Sequence, residues 1–181
     1  MKKISLAITG GLGRMGQELI KSSKRSKNFS LKSITESKFY NKRFSGLKLI
    51  PNSKEAFKNV NIIIDFTTPK CTLEVLKIAA KLKKRVVIGT TGFTKKEEIL
   101  IKNYSRKIPI LKAGNMSLGV NLLMYLTEIA SRSLGNNFLS KIYEVHHKYK
   151  NSYMQQCMHN SQQHLFRCKN VNQNLYQSKW C

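Results

Sequence analysis

The stretch AITGGLGRMGQEL carries Gly11-x-Gly13-x-x-Gly16 between a run that alternates apolar residues and a stretch with helical spacing. Strand, glycine turn and helix in that order leave few folds open. The glycines allow a tight turn, close approach of backbone to a pyrophosphate, and close packing of helix on strand. The first N–H groups of a helix have no partner inside it and face whatever anion lies at the turn. Glu36 lies 20 residues beyond Gly16, at the end of the next apolar run. That spacing suits a carboxylate accepting from the ribose hydroxyls of a dinucleotide. Arg14 and Lys38 are placed to meet a ribose 2′-phosphate or to stand as solvated charges, so NADH and NADPH both remain open.

The same alternation continues along the chain. KISLAIT, LKSITE, VNIIIDF, RVVIGTT and IPILKAGN read as strands, several of them apolar on both faces. Between them lie helical stretches. One opens on Thr68 and Pro69, an N-cap with proline at the first helical position. Another opens on Thr94 and Glu97, a capping box. Repeated βα units predict an α/β fold, a Rossmann-like and mostly parallel sheet with helices on both faces. A long apolar helix, SLGVNLLMYLTEIASRSLG, follows and is expected to end at Gly135. The strand KIYEVHH then breaks the rhythm and is expected to belong to a second domain.

In such a sheet, ligands bind beyond the carboxyl ends of the strands. Thr67 in IIIDFTTP, and Gly89, Thr90 and Thr91 in VIGTTGF, are therefore placed to line the groove through backbone and hydroxyl contacts. Threonines in such loops are also ordinary helix caps. His146 and His147 follow a strand, so alternation sends them to opposite faces. His146, Lys148 and Lys150 share parity if the strand runs on, joining a proton donor to anion-binding ammonium groups.

The formal net charge is +24, carried by 33 Lys and Arg against 9 Asp and Glu. Lysine supplies most of it, scattered through every segment. That pattern fits an AT-rich genome better than a nucleic-acid stripe, though the positive field favours anionic small molecules. The apolar run after Lys2 and Lys3 is six residues long and ends in a glycine turn, which reads as a first strand and not a leader. No membrane span and a cytoplasmic location are expected. Four cysteines without a CxxC pair suggest neither zinc nor disulfides.

Residues 151–181 differ from the rest. They contain no Gly, Pro, Ala, Asp, Glu, Thr or Ile, yet hold the single Trp and three of the four Cys. A disordered polar tail favours other residues. The composition is read as a frameshifted or otherwise aberrant segment, with a disordered tail as the alternative.

Taken together, GGLGRMG, DFTTP, GTTGF, AGNMSLGVNLL and EVHHKYK resemble, in order, the dihydrodipicolinate (4-hydroxy-tetrahydrodipicolinate) reductases. The resemblance covers about residues 3–150. It implies a dinucleotide-binding domain over 1–114, the start of an α+β substrate and tetramerisation domain over 115–150, and the aberrant segment beyond. It implies reduction of 4-hydroxy-tetrahydrodipicolinate by NADPH or NADH, with loss of water, in lysine and diaminopimelate biosynthesis. Within the quoted motifs, Gly10, Gly11, Gly13, Arg14, Met15, Gly16, Thr67, Gly89, Thr90, Thr91, Asn115 and Met116 would contact the cofactor, joined by Glu36 from its spacing after the glycine turn. His146 would be the catalytic proton donor or acceptor, Lys150 its companion, and His147 a contact to the dicarboxylate substrate. The family continues after the lysine with a Ser-Gly-Thr loop that holds a substrate carboxylate. Here NSYMQQCMHN follows Lys150 instead. The substrate domain is therefore expected to be truncated, with activity impaired and the family's homotetramer in doubt. The alternatives are another Rossmann dehydrogenase of amino-acid metabolism, which would have to explain HHKYK and GTTGF by chance, and a non-catalytic basic nucleotide-binding remnant.

Overall fold

The computed structural model describes residues 3–37, 42–134, 141–147, 165–171 and 176–179. The chain divides into two units, Met1–Ala113 and Gly114–Cys181.

The first unit is built on β1 (Ile4–Thr9), α1 (Arg14–Arg25), β2 (Phe29–Thr35), β3 (Arg43–Phe44), β4 (Leu47–Ile50), α2 (Lys54–Lys58), β5 (Ile62–Asp65), α3 (Pro69–Lys81), β6 (Arg85–Ile88), α4 (Lys95–Ser105) and β7 (Ile110–Lys112). The strands form one sheet in the order β3-β4-β2-β1-β5-β6-β7. Every pairing is parallel except β3 with β4. The chain runs outward from β1 through β2, returns past β1, and runs outward again through β5. The carboxyl ends of β1, β2 and β5 therefore meet where the strand order reverses.

Alternation along β1 sends Ala7 and Ile8 to opposite faces, and each joins a separate core. The larger core joins Phe57, Ile63, Val75, Leu76, Val86 and Ile101, from α2, α3, α4 and the strands they cover. The smaller joins Ile8, Ile20, Ile34 and Leu49, which seats α1 on the other face. Full burial of a side chain such as Phe57 contributes about 1.5–3 kcal/mol.

Two short features escaped the periodicity reading. β3 and β4 form a hairpin whose turn residues, Ser45 and Gly46, have φ of 59° and 88°. Positive φ at both turn positions matches the right-handed twist of the flanking strands. α2 is five residues long, too short for a helical period, and is fixed by Ser53 accepting from Ala56 N–H.

The second unit contains α5 (Leu118–Leu134) and three strands, β8 (Lys141–His147), β9 (Leu165–Val171) and β10 (Tyr176–Lys179). β9 lies between β8, parallel to it, and β10, antiparallel. The compositional reading of 151–181 assigned no element there, whereas β9 and β10 are strands. Gly135, the expected end of α5, lies outside the described residues.

Candidate nucleotide-binding site

The site begins where β1 ends. Gly10 has φ of 65°, a conformation other residues adopt only with strain. Gly13 N–H donates to the Gly10 carbonyl (3.0 Å), closing the turn, and Gln17 N–H donates to the Gly13 carbonyl (2.9 Å), starting α1. A Cβ at Gly16 would lie 2.1 Å from the Gly10 oxygen, so only glycine lets helix and turn approach this closely. Ser53, Thr68 and Thr94 cap α2, α3 and α4 with their side chains, whereas Gly13 gives α1 none. No acidic residue stands in the first turn of α1. This end of α1 has the chemistry that fits a pyrophosphate.

Glu36 follows β2 and reaches back to the turn. Its Oε2 accepts from Leu12 N–H at 3.0 Å, and its Oε1 from Ser37 N–H at 3.1 Å. Gln17 Nε2 donates to the Leu12 carbonyl at 2.9 Å, holding the turn from the other side. Gly11 N–H donates to the Thr35 carbonyl, tying the turn to β2. Arg14 and Met15 are exposed at the helix start. Lys38 lies outside the described residues.

On the far side of β1, Asp65 ends β5 and is fully buried. Its Oδ1 accepts from the hydroxyls of Thr9 and Thr67, and its Oδ2 from those of Thr72 and Thr90. Thr90 Oγ1 also accepts from Thr67 N–H at 2.9 Å, and Gly89 N–H donates to the Asp65 carbonyl at 2.9 Å. Thr67, Gly89 and Thr90 thus come together beyond the carboxyl ends of β5 and β6. The hydroxyls of Thr67 and Thr90 are held by Asp65, and Thr90 is buried, so these loops present mainly backbone to the groove. Thr91 is exposed. Asp65 is the residue that sequence reasoning missed; its signal was a lone acid closing the apolar run IIID before two threonines.

Cys71, on the first turn of α3, is half-buried; burial raises its thiol pKa, against hydrogen bonds with Thr67 and Asn52. Asn52 Nδ2 donates to the sulfur at 3.3 Å.

The remaining expected residues fall in the second unit. Asn115 Oδ1 accepts from Ser117 N–H (2.8 Å) and Asn121 Nδ2 donates to the Asn115 carbonyl (3.2 Å), which fixes the entry to α5. Met116 is exposed. His146 and His147 are the last residues of β8, in register with Asn170 and Val171 of β9. Lys150 lies outside the described residues.

Residues 4–116 match the family model of the dihydrodipicolinate reductase N-terminus. The chain belongs to the dihydrodipicolinate reductase family. It is 67% identical over 153 residues to the 4-hydroxy-tetrahydrodipicolinate reductase of Pelagibacter ubique, a match covering 84% of this chain and 59% of that protein. It is 41% identical over 160 residues to the reductase of the same name from Buchnera aphidicola of Acyrthosiphon pisum, covering 82% and 60%. Among solved structures it is similar to the dipicolinate-bound dihydrodipicolinate reductase of Paenisporosarcina sp. TG-14, with TM-score 0.68 and 25% identity over 85% of this chain and 62% of that one. A homoserine dehydrogenase from S. aureus shares the fold alone, at TM-score 0.52 and 20% identity. The chain spans about 60% of the length of the curated relatives it matches. The family places the glycine turn in a Rossmann-type domain that binds NAD(P)H. Among the described residues, no helix is long and apolar enough to cross a membrane.

Proposed function

We propose that this chain binds NADH, and NADPH more weakly, across the crevice between β2 and β5, and that it serves the reduction of 4-hydroxy-tetrahydrodipicolinate to tetrahydrodipicolinate with loss of water. The observation that carries the nucleotide reading is the turn at Gly10–Gly16, which meets an uncapped α1 with Glu36 at its edge. The naming of the relatives supports the reaction.

Each residue then has a role. The amides at the start of α1 hold the pyrophosphate. Glu36 accepts from the adenine ribose hydroxyls. A 2′-phosphate would set negative charge against its carboxylate, which favours NADH; Arg14 and Lys38 offset part of that repulsion. The loops carrying Thr67, Gly89, Thr90 and Thr91, with Asn115 and Met116, orient the other half of the dinucleotide. Bound nicotinamide supplies the hydride. His146 donates the proton that neutralises the electron density left on the substrate, and Lys150 is its companion acid. His147 and Lys150 attract the substrate carboxylates.

Residues 1–114 form the nucleotide-binding part and 115–150 open the substrate part. Residues 151–181 are read as an aberrant segment, which reading the gene in all three frames beyond Lys150 would test. The cytoplasmic setting and the absence of a nucleic-acid partner belong to the same reading, which leaves the family's homotetramer in doubt for this chain.

Titration of the purified chain with NADH and NADPH, followed by protein-to-nicotinamide energy transfer, tests the first half. Saturable binding, tighter for NADH, supports it; binding of DNA or RNA with steep salt dependence and no competition by NADH would overturn it. Oxidation of NADH in the presence of 4-hydroxy-tetrahydrodipicolinate tests the second half. Oxidation that depends on 4-hydroxy-tetrahydrodipicolinate supports it, and NADH oxidation indifferent to that substrate would count against it.

A further inference from the structure

We propose that Asp65 is a positioning residue of the nucleotide site, whose buried carboxylate sets the two loops after β5 and β6 against the glycine turn. This rests on the nucleotide-binding reading above.

Asp65 is 0% exposed, and its four side-chain partners are all threonine hydroxyls. The two oxygens of a carboxylate offer about four acceptor sites, and four hydroxyls reach them. Burying such a group is not a route to a more stable core, since apolar residues of similar volume do as well or better. The placement of the four donors is more informative. Thr9 ends β1, Thr67 lies in the loop after β5, Thr72 stands in α3, and Thr90 lies in the loop after β6. One side chain therefore fastens together four elements at the carboxyl end of the sheet, where such folds bind ligands.

The network also reaches the backbone of the loops. Thr67 N–H donates to Thr90 Oγ1, and that hydroxyl donates to Asp65. Gly89 N–H donates to the main-chain carbonyl of Asp65. Thr67 in turn abuts the glycine turn: a Cβ at Gly10 would lie 2.7 Å from Thr67 Cγ2. Glu36 holds the turn from the β2 side, and Asp65, through Thr67, bounds it from the β5 side. A dinucleotide lying across the switch point would meet both.

The test uses the 181-residue chain with D65N, T90V, T90S and, as a control, V75A, which trims a buried core residue of α3 that makes none of these hydrogen bonds. NADH affinity is measured well below each melting temperature, and amide exchange is followed at Thr67 and Gly89. D65N and T90V are expected to weaken NADH binding roughly tenfold, the equivalent of about one hydrogen bond of positioning. They should also speed exchange of the Thr67 amide. T90S, which keeps the hydroxyl, should recover most of the affinity that T90V loses, and V75A should lower the melting temperature without changing NADH affinity. Parental NADH affinity in D65N and T90V, with only their melting temperatures lowered, would reduce Asp65 to a structural residue and overturn the proposal. If the parent chain itself binds no NADH, the nucleotide-binding reading fails. Thr67 and Gly89 exchange then still decides whether Asp65 orders the loops, and unchanged exchange in D65N overturns it.

Discussion

The Glu36 carboxylate accepts a hydrogen bond from the backbone N–H of Leu12 at 3.0 Å. The acid placed to hold a ribose therefore also holds the turn placed to hold phosphate. One substitution should disturb both. Glu36→Ala is expected to weaken NADH binding about tenfold or more, the worth of one or two hydrogen bonds. NADPH should lose less, because the repulsion of its 2′-phosphate is relieved at the same time. Parallel titrations check this, and an equal loss for both nucleotides would count against a ribose contact.

The close approach of Gly16 to Gly10 makes a second prediction. A methyl at position 16 would meet the Gly10 oxygen at 2.1 Å and the Gly11 Cα at 2.8 Å, both backbone atoms that yield only if the turn opens. Gly16→Ala should destabilise the first unit by about 1–3 kcal/mol, as overpacking does, and abolish saturable NADH binding. Urea denaturation and titration of the same sample separate the two effects.

The start of α4 is stabilised by a reciprocal cap. Glu97 N–H donates to Thr94 Oγ1, while Thr94 N–H donates to Glu97 Oε2 at 2.7 Å. Thr94→Ala is expected to cost about 1 kcal/mol. Adding Glu97→Ala should cost less than the sum of the two single changes, because the first has already broken the pair. Urea midpoints of the four proteins measure the coupling.

Cys71 gives the folded chain a dependence on alkaline pH. Burial raises its thiol pKa above the ordinary value, so the folded state holds this proton more tightly than the unfolded chain. Its contribution is fully present below the unfolded value of about 8.5 and is lost as pH rises through the raised folded value. Cys71→Val should therefore lose less stability than the parent as pH rises above about 8.5. Urea midpoints measured across that range show it; parallel curves would contradict it.

What could be read from the sequence was what local spacing determines. The turn from Gly10 to Gly16, the cap at Thr68 with Pro69, and the Thr94–Glu97 box each involve residues a few positions apart. The buried strands announced themselves as apolar runs. The Asp65 network was not legible, because Thr9 and Thr90 reach it from 56 and 25 positions away. Only the parallel pairing of β1, β5 and β6 brings them together. Thr67 and Thr90 were placed correctly at the strand ends, but where their hydroxyls point is set by that distant carboxylate. The β3–β4 hairpin was missed because strands of two and four residues carry no period, although Ser45-Gly46 is a turn dipeptide.

The central claim is that this chain carries a working dinucleotide site. Its most direct test is an isothermal titration of the purified 181-residue chain with NADH, repeated in excess ADP-ribose. The account predicts one saturable site with micromolar affinity, lost when ADP-ribose competes. A chain that is folded by circular dichroism yet shows no saturable heat up to millimolar NADH would contradict it.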